Sequence, residues 1–420
     1  MLRSLVVPAL FLCTAFGASA QPPKRVPPPE RLVEQLGASD FATRERATEA
    51  LRALGSEAIP AVRRAGASAD PETRRRASQL LPELLAQLAL APRRVTLEQK
   101  SMTFTEALGA LQRQTSYAIT VDSPVAGDKT YSFGLTEGTF WEAVERVAER
   151  TGRSVVATRK GLQLVRGRTR SPFAVSDGAF RVELSKIHED RDINFDEGGP
   201  SGKHDHRLTL KFSVLAEPRF VILAGGPVQF AEAVDERGGK LPASPETVWE
   251  KDHVDFGQLL RPDFVFPAEG FLRRSPKQGT RLATVSGTIP VRVVVEKRRT
   301  VVVPTAKAEQ PFRVGRDLLS IRQAAFTDKE GVRISLRVAP DEHGMNKARW
   351  HQRVTVEDIW GVPLRANGHG SGTDGNEHYI SVSYGRPPGW FNAPAQRIVV
   401  EDWVILEHKV RFTFKGVSLP

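Results

Sequence analysis

Histidines and carboxylates crowd one short stretch of this chain: His188, Glu189, Asp190 and Asp192, followed by His204-Asp205-His206. Neutral imidazoles and carboxylates are the ligands that hold zinc and similar cations. Alternate residues of an extended chain share a face, so His204 and His206 could grip one metal together. His188 or a carboxylate from 188–192 would supply a third ligand, and metal-assisted hydrolysis is the chemistry such a site would support. The intervening residues 194–203, with Gly198-Gly199-Pro200, read as a hairpin loop. Polar loop tips of this kind are commonly just solvated, so the competing expectation is a surface turn without a ligand.

A glycine-rich stretch, Gly368-His369-Gly370-Ser371-Gly372, lacks the strand-loop-helix setting that a phosphate cradle needs. The sequence TDGNEHYISVSY comes directly after it, and the expectation is a flexible hairpin loop. Trp390-Phe391, within RPPGWFNAP, places two large aromatics in a loop rich in proline and glycine. Such a pair can stack on sugar rings or insert at an interface, or it can fold back over the end of a β-sandwich. No G-x-S-x-G, H-E-x-x-H, Walker A or Rossmann-type glycine motif occurs. These readings call for no catalytic residue and no cofactor.

Compartment narrows the choices. Arg3, the apolar run from Leu5 to Phe16, and Ala18-Ser19-Ala20 before Gln21 have the order of a secretory signal peptide, residues 1–20. The run is too short for an ordinary membrane span, and no later stretch is apolar for long enough to cross. Cys13 is the only cysteine, and the bulky Leu12 before it disfavours a lipid anchor. Cleavage would leave no thiol for disulfides, zinc or nucleophilic catalysis. A net charge of +11 suits nucleic acid in a cytosolic protein. In an exported one it points to acidic envelope polymers, anionic surfaces or plain solubility, and export keeps nucleic acid away.

A chain of 420 residues must fold as several domains. The fold class expected is multidomain α + β: helical repeats, then a small α+β module, then an all-β part. Residues 21–30 hold five prolines and read as an extended spacer. Residues 31–92 carry apolar positions at helical spacing. Asp40 and Asp70 stand as N-caps, Gly55 as a stop, and Pro82 is expected to kink or break the last helix. DFATRERATEAL and DPETRRRASQLL repeat at an offset of 30. Their Asp-x-x-x-Arg pattern, Asp40 with Arg44 and Asp70 with Arg74, resembles a HEAT-like repeat. That resemblance implies a capping Asp and an Arg bonded to the turn of the neighbouring repeat. Two short copies rarely stand alone, so this segment is expected to pack on the domain after it. Its arginine clusters read as a solvated helix face.

Residues 93–168 repeat Thr-Phe-x-Glu-Ala-(Leu/Val), at Thr103 and again at Thr139. The expected order is β-α-β-β-α-β-β, with a cap at Thr103 or Thr105, a strand from Thr130 to Leu135, and a second helix ended by Gly152. This order and its paired helix starts resemble the short N-terminal domain shared by secretins and TonB-dependent receptors. The resemblance implies a periplasmic docking module with no catalysis, and a place in a secretin- or TonB-type complex. Positions that differ between the copies, such as Gln112, Arg113 and Arg146, are where recognition would lie.

Beyond residue 172 apolar residues alternate with polar ones, as at Leu208, Leu210, Phe212 and Val214, which predicts half-buried antiparallel strands. Phe180-Arg181-Val182 recurs as Phe312-Arg313-Val314, and Asp235-x-x-Gly238-x-x-Leu241 as Asp358-x-x-Gly361-x-x-Leu364. Two sandwich-like modules of immunoglobulin type, 172–305 and 311–420, fit this duplication. Frequent charges and the lack of aromatic girdles weigh against a transmembrane barrel. The function expected is that of an exported, non-enzymatic interaction or scaffold protein of a bacterial envelope, periplasmic or extracellular, with protein or acidic-polymer partners. A metal-binding protein or metal-dependent hydrolase is the alternative.

Overall fold

The computed structural model describes residues 27–98, 101–123, 129–158, 161–167, 171–194, 203–244, 263–275, 278–304, 312–314, 317–327, 331–338, 350–374, 377–385 and 395–420. They fall into two compact units, one ending at Ala89 and one starting at Leu90.

The first unit is helical: α1 (Pro29–Gln35), α2 (Phe41–Leu54), a 3-10 turn at Gly55–Ala58, α3 (Ile59–Ala65) and α4 (Pro71–Leu90). Asp40 and Asp70 cap α2 and α4 alike. The Asp40 carboxylate accepts from the Thr43 N–H at 2.8 Å, and that of Asp70 from Thr73 N–H at 2.7 Å. Each cap satisfies a main-chain donor that the first helical turn leaves open. The arginines behave differently from what the resemblance implies. Arg44 donates to the carbonyls of Ala38 and Ser39, and Arg74 to that of Ser68, so each ties down the turn before its own helix. Between α2 and α4 run ion pairs of Arg76 with Glu45 (2.8 Å), Arg52 with Glu83 (2.9 Å) and Arg44 with Glu72 (3.6 Å). Pro82 does not break α4, which runs on from Pro71 to Leu90. Leu80 and Leu84, buried on either side of it, anchor both halves in a core with Leu36, Leu51 and Val62. That packing outweighs one missing N–H.

The second unit opens with the α+β module. Its elements are β1 (Arg94–Leu97), β2 (Met102–Thr103), α5 (Phe104–Thr115), β3 (Ile119–Val121), β4 (Thr130–Tyr131), β5 (Leu135–Thr139), α6 (Phe140–Arg150), β6 (Arg153–Thr158) and β7 (Gly161–Arg166). The repeated Thr-Phe-x-Glu is the same device twice. Thr103 with Glu106, and Thr139 with Glu142, form reciprocal capping boxes that start α5 and α6. The strand expected from Thr130 to Leu135 is instead two strands: β4 pairs with β2 and β5 with β1. A three-stranded sheet of order β3-β7-β6 completes the module.

The β-rich part forms three sheets. The first has order β13-β10-β9-β8, from β8 (Ala174–Asp177), β9 (Phe180–Asn194), β10 (Lys203–Ala216) and β13 (Val265–Arg273). The second has order β11-β14-β21-β18, from β11 (Val221–Gly225), β14 (Arg281–Pro304), β18 (Val354–Asp358) and β21 (Ala395–Ser418), with β12 (Gln229–Asp235) also on β14. These two face each other across a core in which the rings of Phe212 and Phe412 lie 5.0 Å apart, centre to centre. Each large apolar side chain buried there contributes roughly 2 kcal/mol. The third sheet has order β15-β16-β17-β20-β19, from β15 (Phe312–Val314), β16 (Asp317–Thr327), β17 (Gly331–Val338), β19 (Arg365–Asp374) and β20 (Glu377–Gly385). One helical turn, α7 (Trp350–Arg353), interrupts the strands.

Topology revises three expectations. The boundary at 304–311 does not separate two sheets, because β21 returns and pairs with β14 from Arg281↔Ser418 to Pro304↔Arg397. β21 thus completes the first sandwich. The two halves share a strand pattern, with β8-β9-β10-β13 and β15-β16-β17-β20 each an antiparallel run of four. Phe312-Arg313-Val314 is therefore the counterpart of edge strand β8, not of Phe180-Arg181-Val182 on β9. The glycine run 368–372 is not a loop; it lies in edge strand β19, zipped to β20. An edge position accepts glycines because one neighbour suffices to hold the strand extended.

The repeated aspartates close matching corners. Asp235 accepts from the N–H groups of Arg237 (2.9 Å) and Gly239 (2.6 Å), and Asp358 from those of Trp360 (2.9 Å) and Val362 (2.8 Å). Gly238 and Gly361 turn the chain at φ +82° and +80°, a region that side chains disfavour.

Candidate functional site

A broad concavity lies where the α+β module meets the first sandwich. It is a groove of ≈ 760 Å³. Val155, Val156 and Ala157 of β6 form one wall, and Arg181, Glu183, Ser213, Leu215 and Val265 on the outer face of the first sheet form the other. Phe173 and the C-terminal residues Ser418, Leu419 and Pro420 close it.

The main chain of β6 gives the groove its character. On β7, Leu162 donates its N–H to Ala118, and the Leu164 carbonyl accepts from Asp122, so both point toward β3. Their antiparallel partners are Ala157 and Val155. In such a pair both residues turn their main-chain groups away from each other, so Val155 and Ala157 aim N–H and C=O out of the sheet, along the groove. Among the described residues β6 has no strand partner other than β7. On the opposite wall, β8 covers β9 only up to Glu183.

Two buried ionic knots hold these walls. Arg181, 2% exposed, pairs with Glu145 of α6 at 2.8 Å and with Glu183 at 2.6 Å, and lies over the Trp141 ring. Trp141 in turn donates its indole N–H to the Ala179 carbonyl at 3.1 Å. Glu217, fully buried, accepts from the Arg93 N–H (2.8 Å), the Tyr117 hydroxyl (2.7 Å) and the Arg219 guanidinium (3.1 Å). Burial, and then the bond to Glu217, hold the Tyr117 phenol well above its ordinary pKa, so it remains a donor. A buried carboxylate with three donors is tightly held rather than reactive.

The histidine cluster is divided by its register. β9 and β10 pair from Lys203↔Asn194 inward, with His204↔Ile193, His206↔Arg191 and Thr209↔His188. Directly paired residues share a face, so positions 204 and 206 share theirs with 189 and 191. Positions 188, 190 and 192 lie on the other. His188 Nε2 sits 3.0 Å from Asp190. Glu189 is claimed by Arg191 at 2.9 Å and Arg274 at 3.1 Å, and the Arg191 bond foremost holds its carboxyl below the ordinary range. The side chains of Asp192, His204 and Asp205 lie outside the described residues. Among those described, no three His, Cys, Asp or Glu side chains come together as a metal would require. The strand pairing also runs farther than the loop expected at 194–203. Trp390 and Phe391 lie outside the described residues, and none of the described helices is long and apolar enough to cross a membrane.

Known proteins offer no guide. No family model, curated protein or solved structure matches this chain. The groove and its knots were also missed by reading the sequence. Arg181 alternates with Phe180 and Val182, which reads as a solvent-facing position; only α6, lying over that face, buries it.

Proposed function

We propose that this is an exported interaction protein of the bacterial envelope, and that it binds an extended segment of a partner protein along β6. One observation carries the reading: Val155 and Ala157 present outward main-chain donors and acceptors on the wall of a groove. Strand addition to an open sheet edge gives affinity through the main chain, and flanking pockets select alternate side chains. Here the flanking surfaces are apolar (Phe173, Leu215, Val265) and small (Ser154, Ser213), which suits apolar or small side chains at alternate positions. The docking role implied by the secretin-like resemblance of residues 93–168 agrees with this use.

The test is selection of random peptides on the full chain, followed by hydrogen exchange on the bound complex. Selected peptides should protect the amides of Val155 and Ala157. Ala157→Pro, which removes an outward N–H without breaking the β6-β7 ladder, should weaken them by about tenfold or more. Peptides that leave β6 exchange unchanged would sink the reading. So would hydrolysis of an envelope polymer that a point substitution in the groove abolishes.

A further inference from the structure

A second hollow, ≈ 380 Å³, lies between α6 and the chain leading from β4 to β5. Lys129, Tyr131, Arg146 and Arg150 line it, with Ser132, Phe133 and Gly134, and among the described residues no acidic side chain joins them. Arg146 and Arg150 stand one helical turn apart, so their side chains emerge on the same face of α6. Arg146 is half-buried and is steadied by donation to the Phe133 carbonyl at 3.1 Å. The Lys129 ammonium rests 5.3 Å from the centre of the Tyr131 ring. Arg146 and Lys129 are therefore placed, and Arg150 extends the same positive face toward solvent.

The duplication within the module sets these cations apart. The matching positions on α5 are Ala110 and Gln114, the first of them buried. The two helices share their caps and core, yet of the two only α6 carries an arginine pair toward a concave surface. The caps and core that build both helices do not include that pair.

We propose that this hollow binds a phosphomonoester group. Converging positive charge in a concave site favours a dianion over a monoanion. Planar guanidinium forks match the tetrahedral oxygens of phosphate, and a lysine adds a point charge. Tyr131 offers a hydroxyl to a remaining oxygen. The phosphate is either that of a soluble ester or that of a lipid headgroup.

The experiment titrates the full chain with inorganic phosphate at constant ionic strength, followed by amide chemical shifts. Saturable shifts should centre on residues 129–134 and on α6, and affinity should fall as pH drops from neutral into the acidic range, where inorganic phosphate takes up a proton and loses its second charge. Arg146→Gln with Arg150→Gln should weaken binding by about tenfold or more, and Lys129→Gln by a few-fold. Lys129→Gln breaks no hydrogen bond among the described residues, so it keeps the test valid if the double variant unfolds. Arg113→Gln, on α5, should change nothing. Retention on vesicles containing phosphatidic acid, and not on phosphatidylcholine alone, would assign the headgroup; phosphate binding without retention would assign a soluble ester. The proposal is overturned if phosphate binds no better than acetate, or if Lys129→Gln binds phosphate as wild type does.

Discussion

Asp235 and Asp358 occupy matching corners in the two halves of the β region, yet the residues they carry between them and the following glycine differ in kind. In the first corner these are Glu236 and Arg237. Glu236 is tied in, accepting from the N–H groups of Thr280 and Arg281 at 2.9 Å each. In the second they are Ile359 and Trp360, 45% and 67% exposed. The aspartate and the glycine are what the corner needs, because unpaired N–H groups must find an acceptor and the turn demands positive φ. The tip is free of those demands, and it is a polar, internally bonded pair in one corner and an apolar, solvent-facing pair in the other.

The aspartates are where the two corners should respond most strongly. Asp358→Ala should cost about 2 kcal/mol in denaturant unfolding, the result of leaving two N–H groups without their charged acceptor. Asp235→Ala should cost more, since Asp235 also accepts from Gly279 at 2.9 Å; equal losses would show that the third bond contributes nothing. The glycines come next. Gly238→Ala should cost about 1 kcal/mol from backbone strain alone. Gly361→Ala should cost more, because the new Cβ would come within 2.7 Å of Arg397, whose guanidinium is paired to Glu357 at 2.6 Å.

A pH titration separates β21, which both halves share, from the corners themselves. His408 stacks on Phe180 with ring centres 4.8 Å apart, and burial holds its pKa below the ordinary value. The unfolded chain therefore takes up a proton first. Stability is whole above about pH 6.5 and declines as pH falls from there toward the folded pKa. Substituting His408→Phe should remove that part of the decline, read as urea midpoints across pH. The smallest effect belongs to the tips: Ile359→Glu with Trp360→Arg should leave stability within about 0.5 kcal/mol.

Local chemistry was legible before the fold was. Thr103 and Glu106, or Asp40 and Thr43, sit close enough in sequence for a cap to be read from spacing, and the Asp-x-x-Gly corner likewise. What escaped depends on partners far along the chain. Whether His188 joins His204 depends on strand register, since one residue of slip exchanges the faces. The Glu217 knot joins Tyr117 across 100 positions, and nothing local marks either residue. The glycine run 368–372 has poor strand propensity, and only pairing with β20 makes it a strand. The groove itself is a relation between two sheets, and no motif encodes it.

The pairing of β14 with β21 also bears on how the chain is made. Residues 404–418 fill a place in the first sandwich beside strand residues laid down more than a hundred positions earlier. An emerging polypeptide cannot close that sheet until residues 404–418 have been made, so this half folds late and exposes an unfinished edge in the meantime. Deleting residues 415–418 would strip Arg281, Leu282 and Thr284 of their strand partners, and a quality-control protease would find the damage far from the deletion in sequence.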